Sequence, residues 1–489
     1  MPGYSVSPGF GRTEATSRDP GRSINCHGYN GVVLPHSCAT DSGCRMRPSS
    51  YKAVVHELAA AIRSGAIQAG TRLPTHRALA RERRIALATA TRVYAELAAL
   101  GLVVGEPGRG TFVRVRSGYD GLEPSRVLPV PRVADLSFNQ PLAPGQGDRL
   151  RQALRTMAAS GDAEALLRQH PPGGHRHDRA VVATYLLGRG IDTVPYNVLL
   201  TSGTQQALDI VLHTLVRPGD VLAVDALSYP GIKLLASAHD LDLAPVPVTT
   251  TGPDLDALDQ LCRTRPVHAI YTIPTVHNPL GWVLDREQRD RLVALARSHN
   301  FLIIEDGTYA FLEPSPPSPL QALAPERTCY VAGLSKNVAP GLRFGFAVLP
   351  DHHVEAVTSG LRTAAWGAPG IVTALATGWI TDGTVTRLEE ERRRDAAARQ
   401  DIARAALAGL DTTAHPVSYI VWLGLEPHQR PDHVATVLAG KGILVSTADA
   451  FATGPHRPRA LRLALGTPPR DELGAVLRSL KDAVEAIPP

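Results

Sequence analysis

The chain has 489 residues, which is too long for one ordinary hydrophobic core, so two or more domains are expected. Although 44% of its residues are hydrophobic, no apolar run is long enough to span a bilayer, and we expect a cytoplasmic protein that does not act at a membrane. Five scattered cysteines form neither a disulfide framework nor a zinc motif, and the histidine-rich stretch "RQHPPGGHRHD" matches no standard metal spacing, so no bound metal is expected.

Charge is distributed unevenly along the chain. Residues 1–48 are rich in Gly, Ser, Pro and Arg without sustained periodicity, which predicts a disordered tail. Residues 51–116 hold eleven Lys and Arg against four Asp and Glu, a net charge of +7, whereas the whole chain carries +5. A compact basic module on a near-neutral body is typical of duplex binding. The alternative is a solvated arginine-rich face.

Residues 49–116 read as three short helices followed by a hairpin. "YKAVVHELAAAIR" places apolar residues at helical spacing, and "LPTH" offers Thr75 as the cap of a second helix. A third helix, "ATATRVYAELAA", has Val93 and Leu97 on one face. "LVVGEPGRGTFVRV" alternates on either side of a Pro/Gly turn, which indicates a β-hairpin. The segment therefore predicts an α+β winged helix-turn-helix.

The stretches "GTRLPTHRALA" and "TATRVYAELAALGLVVGEPGRGTFV" resemble the GntR-type DNA-binding domain. The second helix of such a motif enters the major groove with its first residues nearest the bases. The resemblance implies a double-stranded DNA operator as partner and a wing that reaches the minor groove. At Leu87 the chain departs from the family, many members of which have an arginine there. The candidate DNA contacts are Arg77, Thr89, Thr91 and Arg92, and in the wing Arg109 and Gly110.

Residues 117–134 form a linker punctuated by Pro and Gly, and residues 135–489 have a different character. Apolar runs such as "VLAVDA", "AIYTI" and "FLIIEDG" alternate with helical stretches such as "DREQRDRLVALARSHN". Continuous apolar strands separated by helices predict an α/β domain whose mostly parallel sheet is covered on both faces.

The segment "VAGLSKNVAPGLRFGF" places two cations, Lys336 and Arg343, in a run that is otherwise apolar or small. Apolar surroundings lower the pKa of a lysine, and its neutral amine can then attack an aldehyde. Pyridoxal phosphate would further need a phosphate cradle, an anion for its ring nitrogen, a partner for its ring hydroxyl and a flat group over its ring. The sequence offers candidates for each, in that order: Ser202, Gly203 and Thr204 with Arg343 and Ser335; Asp306; Tyr309 and Asn278; and Tyr229.

The order of the motifs "SGTQQAL", "SYPG", "HNPLG", "EDGTY" and "SK", with an arginine seven residues after the lysine, resembles the fold-type I aminotransferases of class I and II. The resemblance spans residues 135–489. It implies that Lys336 bonds to pyridoxal phosphate and that Arg462, in "ALRLALG", binds the substrate carboxylate. There are two departures. Gly333 occupies a position where the family often has a Ser or Thr phosphate ligand, and Gln169 and His170 stand where a tyrosine is usual.

A GntR-type domain ahead of an aminotransferase-like domain resembles the MocR subfamily of bacterial transcription regulators. The resemblance implies a homodimer, associated with the nucleoid when bound to DNA, that senses pyridoxal phosphate or an amino compound through a Schiff base. One alternative is an aminotransferase that moves an amino group between an amino acid and a 2-oxo acid, with the DNA-binding domain attached. Another is a dimerisation scaffold without cofactor.

Overall fold

The computed structural model describes residues 51–63, 66–67, 71–99, 102–106, 110–113, 134–141, 145–159 and 163–488. The chain divides into two compact units, Met1–Arg116 and Ser117–Pro489. The predicted tail, all but the last residue of the predicted linker, and the predicted DNA contact Arg109 lie outside the described residues. None of the helices in the described ranges has both the length and the apolar composition that crossing a membrane requires.

The first unit is a winged helix-turn-helix, as predicted. Thr75 caps the second helix by accepting a hydrogen bond from the Ala78 amide at 3.2 Å. Between the second and third helices the chain turns through Arg84, whose backbone is left-handed with φ 52°. The core of the unit includes Leu79, Val93 and Leu97. The elements are α1 (Tyr51–Arg63), α2 (His76–Arg83), α3 (Leu87–Ala99) and the antiparallel strands β1 (Val103–Glu106) and β2 (Gly110–Val113).

The second unit alternates strands and helices along most of its length. Its strands are β3 (Ala134–Asp135), β4 (Val198–Thr201), β5 (Val221–Asp225), β6 (Asp242–Val246), β7 (Val267–Thr272), β8 (Leu302–Asp306), β9 (Thr328–Gly333), β10 (Gly345–Val348), β11 (Thr412–Thr413), β12 (Ile420–Gly424), β13 (Ile443–Leu444), β14 (Ser446–Thr447) and β15 (Ala460–Ala464). Its helices are α4 (Gln146–Ala159), α5 (Arg176–Leu187), α6 (Thr204–Leu215), α7 (Pro230–Ala238), α8 (Leu255–Thr264), α9 (Arg286–His299), α10 (Leu320–Leu323), α11 (Asp351–Thr363), α12 (Gly370–Thr381), α13 (Thr384–Ala406), α14 (Pro431–Gly440), α15 (Ala448–Phe451) and α16 (Arg470–Glu485).

The large sheet has seven strands in the order β4-β10-β9-β8-β7-β5-β6. Strand β10 is antiparallel to both of its neighbours, and the other pairs are parallel. Successive strand residues face opposite layers, so Tyr271 packs in one apolar cluster with α6, α7 and α11, whereas Ile270 packs in another with α8 and α9. The predicted mostly parallel sheet, covered on both faces, is confirmed.

A smaller antiparallel sheet, in the order β11-β12-β15-β14, packs against α13, α14 and α16. Beside it β3 pairs in parallel with β13, and the chain after β3 runs on as residues 136–141. At the carboxyl edge of the large sheet, β4, β8 and β9 end at Thr201, Asp306 and Gly333. This is the edge at which open α/β sheets bind ligands, so the topology brings the predicted motifs together.

Candidate functional site

A cavity of about 120 Å³ opens at the carboxyl edge of the large sheet. It gathers residues from segments that are far apart in the chain, including nearly all of the predicted cofactor residues. Its walls are Phe138, Asn139, Thr204, Gln205, Tyr229, Ile273, Asn278, Asp306, Thr308, Tyr309, Ser335, Lys336, Pro340, Arg343 and Arg462.

Lys336 follows β9 and points its amine into this cavity. The amine donates a hydrogen bond to the main-chain oxygen of Asn139 at 2.8 Å and lies 4.6 Å from the centre of the Phe138 ring. Burial, together with the positive charges of Arg462 and Arg343, lowers the pKa of Lys336 to about 7. Near neutral pH a large fraction of the amine is therefore uncharged and able to act as a nucleophile.

Asp306, the last residue of β8, is a buried carboxylate. It accepts hydrogen bonds from the Thr308 amide at 2.9 Å and from the Tyr271 hydroxyl at 2.8 Å. Burial raises the pKa of Asp306, and these hydrogen bonds oppose the rise. Among the described residues, no Lys, Arg or His side chain pairs with it. A protonated pyridine nitrogen would supply the missing cation.

The residues of the predicted phosphate cradle lie at the start of α6. Gly203, with φ +96°, leaves room for the Arg343 guanidinium: a Cβ atom at Gly203 would lie 2.7 Å from its Nη2. Arg343 also donates a hydrogen bond to the Ser202 carbonyl at 3.2 Å. The amides that head α6 and the nearby guanidinium together suit a phosphate.

Ser202, predicted as part of this cradle, uses its polar groups within the protein instead. Its amide donates to the Gln206 side-chain oxygen at 2.6 Å, and its hydroxyl donates to the Gly367 carbonyl at 3.0 Å. The Thr308 hydroxyl, which the sequence analysis did not single out, lies 3.4 Å from that of Thr204 and lines the cavity. Thr308 therefore joins the candidate cradle residues, whereas the amide and hydroxyl of Ser202 already have partners within the protein.

Gly333 is a steric requirement of the fold. A Cβ atom at this position would lie 2.7 Å from the Phe344 carbonyl oxygen and 2.9 Å from the Thr204 hydroxyl oxygen. No real side chain tolerates such contacts, and the nearer one is to backbone. The Thr204 hydroxyl thus occupies the space into which a serine or threonine at position 333 would extend. Ser335, predicted to compensate for this glycine, lines the cavity.

Three of the residues predicted to contact the cofactor's ring line the cavity. Tyr229 donates a hydrogen bond to the Gln205 side-chain oxygen at 3.1 Å, and Gly231 gives its ring room, because a Cβ there would lie 2.2 Å from a ring carbon. Asn278 is buried, and its side-chain oxygen has no hydrogen-bond partner among the described residues. Tyr309, 6% exposed, accepts a hydrogen bond from Asn139 at 3.2 Å.

Arg462, on β15, contributes a cation from the smaller sheet. It is 2% exposed, donates a hydrogen bond to the Ser137 carbonyl at 2.7 Å, and lies over the Phe451 ring at 4.9 Å. It lines the same cavity as Lys336, so the predicted carboxylate-binding residue and the predicted nucleophile share one site.

These residues fit pyridoxal phosphate. The Asp306 carboxylate, which has no cation partner among the described residues, suits a protonated ring nitrogen. The Asn278 side-chain oxygen, also without a partner there, can accept a hydrogen bond from the ring hydroxyl. The glycine turn beside Arg343 suits the phosphate. The cofactor would supply an aldehyde that condenses reversibly with amines. Sequence reasoning missed Phe138 and Asn139 because they precede the motifs by more than 60 residues in a stretch without its own signature.

The histidine-rich stretch does not line this cavity. The rings of His170 and His175 lie 4.6 Å apart, those of His175 and His177 stack at 5.4 Å, and the His170 carbonyl accepts a hydrogen bond from the Trp366 indole at 2.7 Å. Within the described ranges no group of three or more His, Cys, Asp or Glu side chains could hold a metal ion.

The first unit exposes much of its predicted DNA-binding surface. Arg77, Thr91 and Arg92 are exposed, and the Arg92 guanidinium lies over the Tyr51 ring at 4.2 Å. Leu87, at the start of α3, is 48% exposed and can offer methyl groups to a base.

Two predicted residues on this surface, Thr89 and Gly110, are partly covered, and one position was missed. The Thr91 hydroxyl donates to the Leu87 carbonyl at 3.1 Å, and Thr89 is half-buried. Gly110, in the wing, packs against Arg72: a Cβ atom at Gly110 would lie 2.9 Å from Nε of that arginine. Arg72 is exposed and belongs with the candidate contacts.

Each of the two units matches a different protein family. Residues 131–480 match the family "aminotransferase class I and II", and residues 50–113 match "bacterial regulatory proteins, gntR family". The chain is 25% identical over 421 residues to the uncharacterized HTH-type transcriptional regulator YdeF of Bacillus subtilis, covering 86% of this chain and 90% of that protein. It is 27% identical over 379 residues to the probable rhizopine catabolism regulatory protein MocR of Rhizobium meliloti, covering 72% and 76%.

Among solved structures, an archaeal alanine:glyoxylate aminotransferase has the same fold, with a TM-score of 0.68 and 24% identity over 72% of this chain and 91% of that one. The family match covers most of the second unit, including every residue of the cavity. The chain therefore belongs to the aminotransferase class I and II family, whose cofactor is pyridoxal phosphate, and it carries a gntR-family DNA-binding domain ahead of it, as the MocR-type regulators do.

Proposed function

We propose that this protein is a transcriptional regulator whose second unit binds pyridoxal phosphate and an amine, and whose affinity for its operator depends on that binding. The observation that carries the proposal is the union, in one chain, of a gntR-type DNA-binding domain and a cavity with the charged groups of a cofactor site. Such a protein would act on the nucleoid in the cytoplasm.

The cavity's residues have distinct proposed roles. Lys336 attaches the cofactor, Asp306 holds its ring nitrogen, and Arg343 with the start of α6 holds its phosphate. Arg462 binds the carboxylate of an incoming amino acid. Burying the charge of a lysine or of an aspartate costs free energy unless it has a partner, which argues against a scaffold without cofactor.

A homodimer is proposed because one face of the second unit lacks cover. Helix α4 has no buried residue, and its Leu150 and Leu154 are 40% and 43% exposed. Ile371, at the start of α12, is 46% exposed, and a groove of about 900 Å³ separates α4 from α12 and the start of α13. An uncovered face that exposes several large apolar side chains suits a second copy of the chain, and a twofold dimer can present two DNA-binding domains to repeated half-sites.

The test compares operator affinity in three states of the full chain: cofactor-free, loaded with pyridoxal phosphate, and loaded in the presence of an amino acid. A ligand shifts DNA binding only if it binds two arrangements of the protein with different affinities, and a coupling of 5- to 150-fold (about 1–3 kcal/mol) is the usual range. DNA selected by the protein from a random pool would serve as the operator. Sedimentation of the same samples is expected to give a dimer. Equal DNA affinity in all three states would end the regulatory proposal.

A second candidate function is an aminotransferase, favoured by the presence of Arg462 beside Lys336 in one cavity. Transfer of an amino group from an amino acid to an added 2-oxo acid, lost in Lys336→Ala, would support it. An amino acid that changes the cofactor's absorption spectrum without such transfer would favour the sensor.

Replacing Arg92 by alanine is expected to weaken DNA binding and to lower the slope of log K against log salt by about 0.9, since one lost phosphate contact means one counterion fewer released. Fluorescence anisotropy of labelled duplex across a salt series would measure it. Arg297→Ala is the matched control, because Arg297 is exposed in the second unit and pairs with Glu326. If the Arg92→Ala slope equals that of the wild type, Arg92 does not touch phosphate.

A further inference from the structure

His76 lies where the two helices of the helix-turn-helix meet. It is the first residue of α2, directly after the cap Thr75, and it contacts α3 through two side chains. Its Nδ1 atom is 3.3 Å from the Thr91 hydroxyl oxygen, and its ring centre is 4.8 Å from that of Tyr94. The ring is half-buried, and its contact with Thr91 is exposed to solvent. His76 therefore belongs to the exposed surface that also carries Arg77 and Thr91.

This position borders the groove that α3 would enter. In a helix-turn-helix the second helix enters the major groove, and the first helix crosses the sugar-phosphate backbone. Here these are α3 and α2, and His76 joins the start of α2 to Thr91 near the start of α3. Because the ring lies between the helix that crosses the backbone and the helix that reads the groove, we expect phosphate oxygens to face it.

The Thr91 hydroxyl decides which ring nitrogen of His76 is left for DNA. A threonine hydroxyl has one proton, and that of Thr91 goes to the Leu87 carbonyl at 3.1 Å, four residues earlier in α3. The Thr91 oxygen then accepts from His76, so Nδ1 carries a proton. Nε2 has no hydrogen-bond partner among the described residues. In the neutral ring Nε2 is an acceptor, which repels a phosphate oxygen, whereas in the charged ring it is a donor.

The surroundings of His76 contain no anion that would hold the ring in its charged form. Within the described ranges His76 forms no ion pair, and Tyr94, whose hydroxyl donates to the Pro74 carbonyl at 2.6 Å, stays neutral because burial raises its pKa. The charged side chains on the two helices are Arg77, Arg81, Glu82, Arg83, Arg92 and Glu96. Arginines outnumber carboxylates there, so an arriving phosphate, not the protein, favours the charged ring.

We propose that His76 donates a hydrogen bond from Nε2 to a DNA phosphate, that Thr91 orients the ring by accepting from Nδ1, and that operator binding therefore takes up a proton. This rests on the proposed function and deepens it, because it adds a DNA contact and makes operator affinity depend on pH as well as on the cofactor. Histidine is the side chain whose charge changes between about pH 5 and 8, so the dependence falls near neutral pH.

Fluorescence anisotropy would measure the affinity of the full chain, loaded with pyridoxal phosphate, for a labelled duplex that it has selected from a random pool. The wild type is expected to bind about tenfold more tightly at about pH 6 than at about pH 8, the worth of one charge-assisted hydrogen bond. His76→Gln cannot take up a proton, so its affinity should be nearly the same at both. His56→Gln is the matched control, because His56 is exposed on α1 of the same unit and should leave the pH dependence unchanged.

The Thr91→Val variant tests the orienting role of Thr91. Valine keeps the branched shape and removes the acceptor for Nδ1, so the preference for low pH should shrink with little change in affinity at the higher pH. A loss of equal size at both pH values would mean that Thr91 itself binds DNA, and would overturn its role in orienting His76.

A wild-type affinity that is the same at both pH values, or that rises with pH, would overturn the proposal whether or not any variant folds. A rise is the result expected if neutral Nε2 accepts a hydrogen bond from a base instead. Failure of the proposed function has a different signature. If the affinity responds to the cofactor but not to pH, the regulator stands and the role of His76 falls. If the affinity responds to pH but not to the cofactor or an amino acid, His76 stands and the regulatory coupling falls.

Discussion

The Lys336→Ala variant is expected to lose all covalent attachment of pyridoxal phosphate, because no other amine lines the cavity within the described part of the chain. After borohydride reduction, mass spectrometry should find one cofactor per wild-type chain and none on the variant. Lys441→Ala is the matched control, since Lys441 is exposed at the end of α14. A reduced adduct that persists on Lys336→Ala would mean that another lysine is the attachment site.

The pH dependence of attachment offers a second measurement on the same residue. Because the pKa of Lys336 is lowered to about 7 from 10.5, the reactive neutral amine should appear as pH rises through about 7, and the rate of attachment should level off above it. For a lysine with an ordinary pKa, the rate of attachment would still be rising near pH 10.

The free energy of unfolding of the cofactor-free protein should depend on pH because the pKa of Lys336 is lowered in the folded state. Between about 7 and 10.5 the unfolded chain binds the proton of Lys336 and the folded chain does not. The ionisation of Lys336 therefore destabilises the fold fully below about pH 7, and this destabilisation disappears as pH rises toward 10.5. In thermal melts the difference in stability between Lys336→Ala and wild type should vary with pH in this window.

The Asp306→Asn variant is expected to weaken cofactor binding by about 100-fold while making the cofactor-free protein more stable by about 1–3 kcal/mol. The two effects have one cause, a buried negative charge that the cofactor's ring nitrogen balances and that otherwise lacks a cation. Asparagine keeps the shape, and the Tyr271 hydroxyl can turn to accept a hydrogen bond from its amide. Equilibrium titration of the cofactor and thermal melts of the cofactor-free protein would measure both.

Whether the stability of the cofactor-free protein rises or falls with pH follows from the direction in which the pKa of Asp306 is shifted. Burial raises the pKa of Asp306, so from the ordinary carboxyl range up to the raised pKa the folded protein holds a proton that the unfolded chain has lost. The wild type therefore loses stability relative to Asp306→Asn as pH rises through that window. Asp401→Asn, at an exposed ion pair with Arg404, is the control. A variant that is less stable without cofactor at neutral pH would contradict an unbalanced charge at Asp306.

Local pattern in the sequence determined a large share of this protein. The helical spacing of apolar residues in 51–99 and the alternation of apolar residues in the hairpin predicted the first unit. Each helix and strand there buries one face, and the apolar residues of that face recur at the period of the element. Continuous apolar strands predicted the covered parallel sheet for the same reason. The order of the motifs also predicted Lys336, Asp306, Arg343 and Arg462, whose side chains now share a cavity.

Contacts between distant segments were decided by the tertiary structure alone. Lys336 meets Asn139 across 197 residues, and Asn139 meets Tyr309 across 170, so no local period or spacing encodes either hydrogen bond. The same holds at Gly333, where the close approach of Thr204 and Phe344 excludes a side chain that a motif would allow. A motif states which residue types are present, whereas packing decides which of their polar atoms already have partners and which ones still face the cavity.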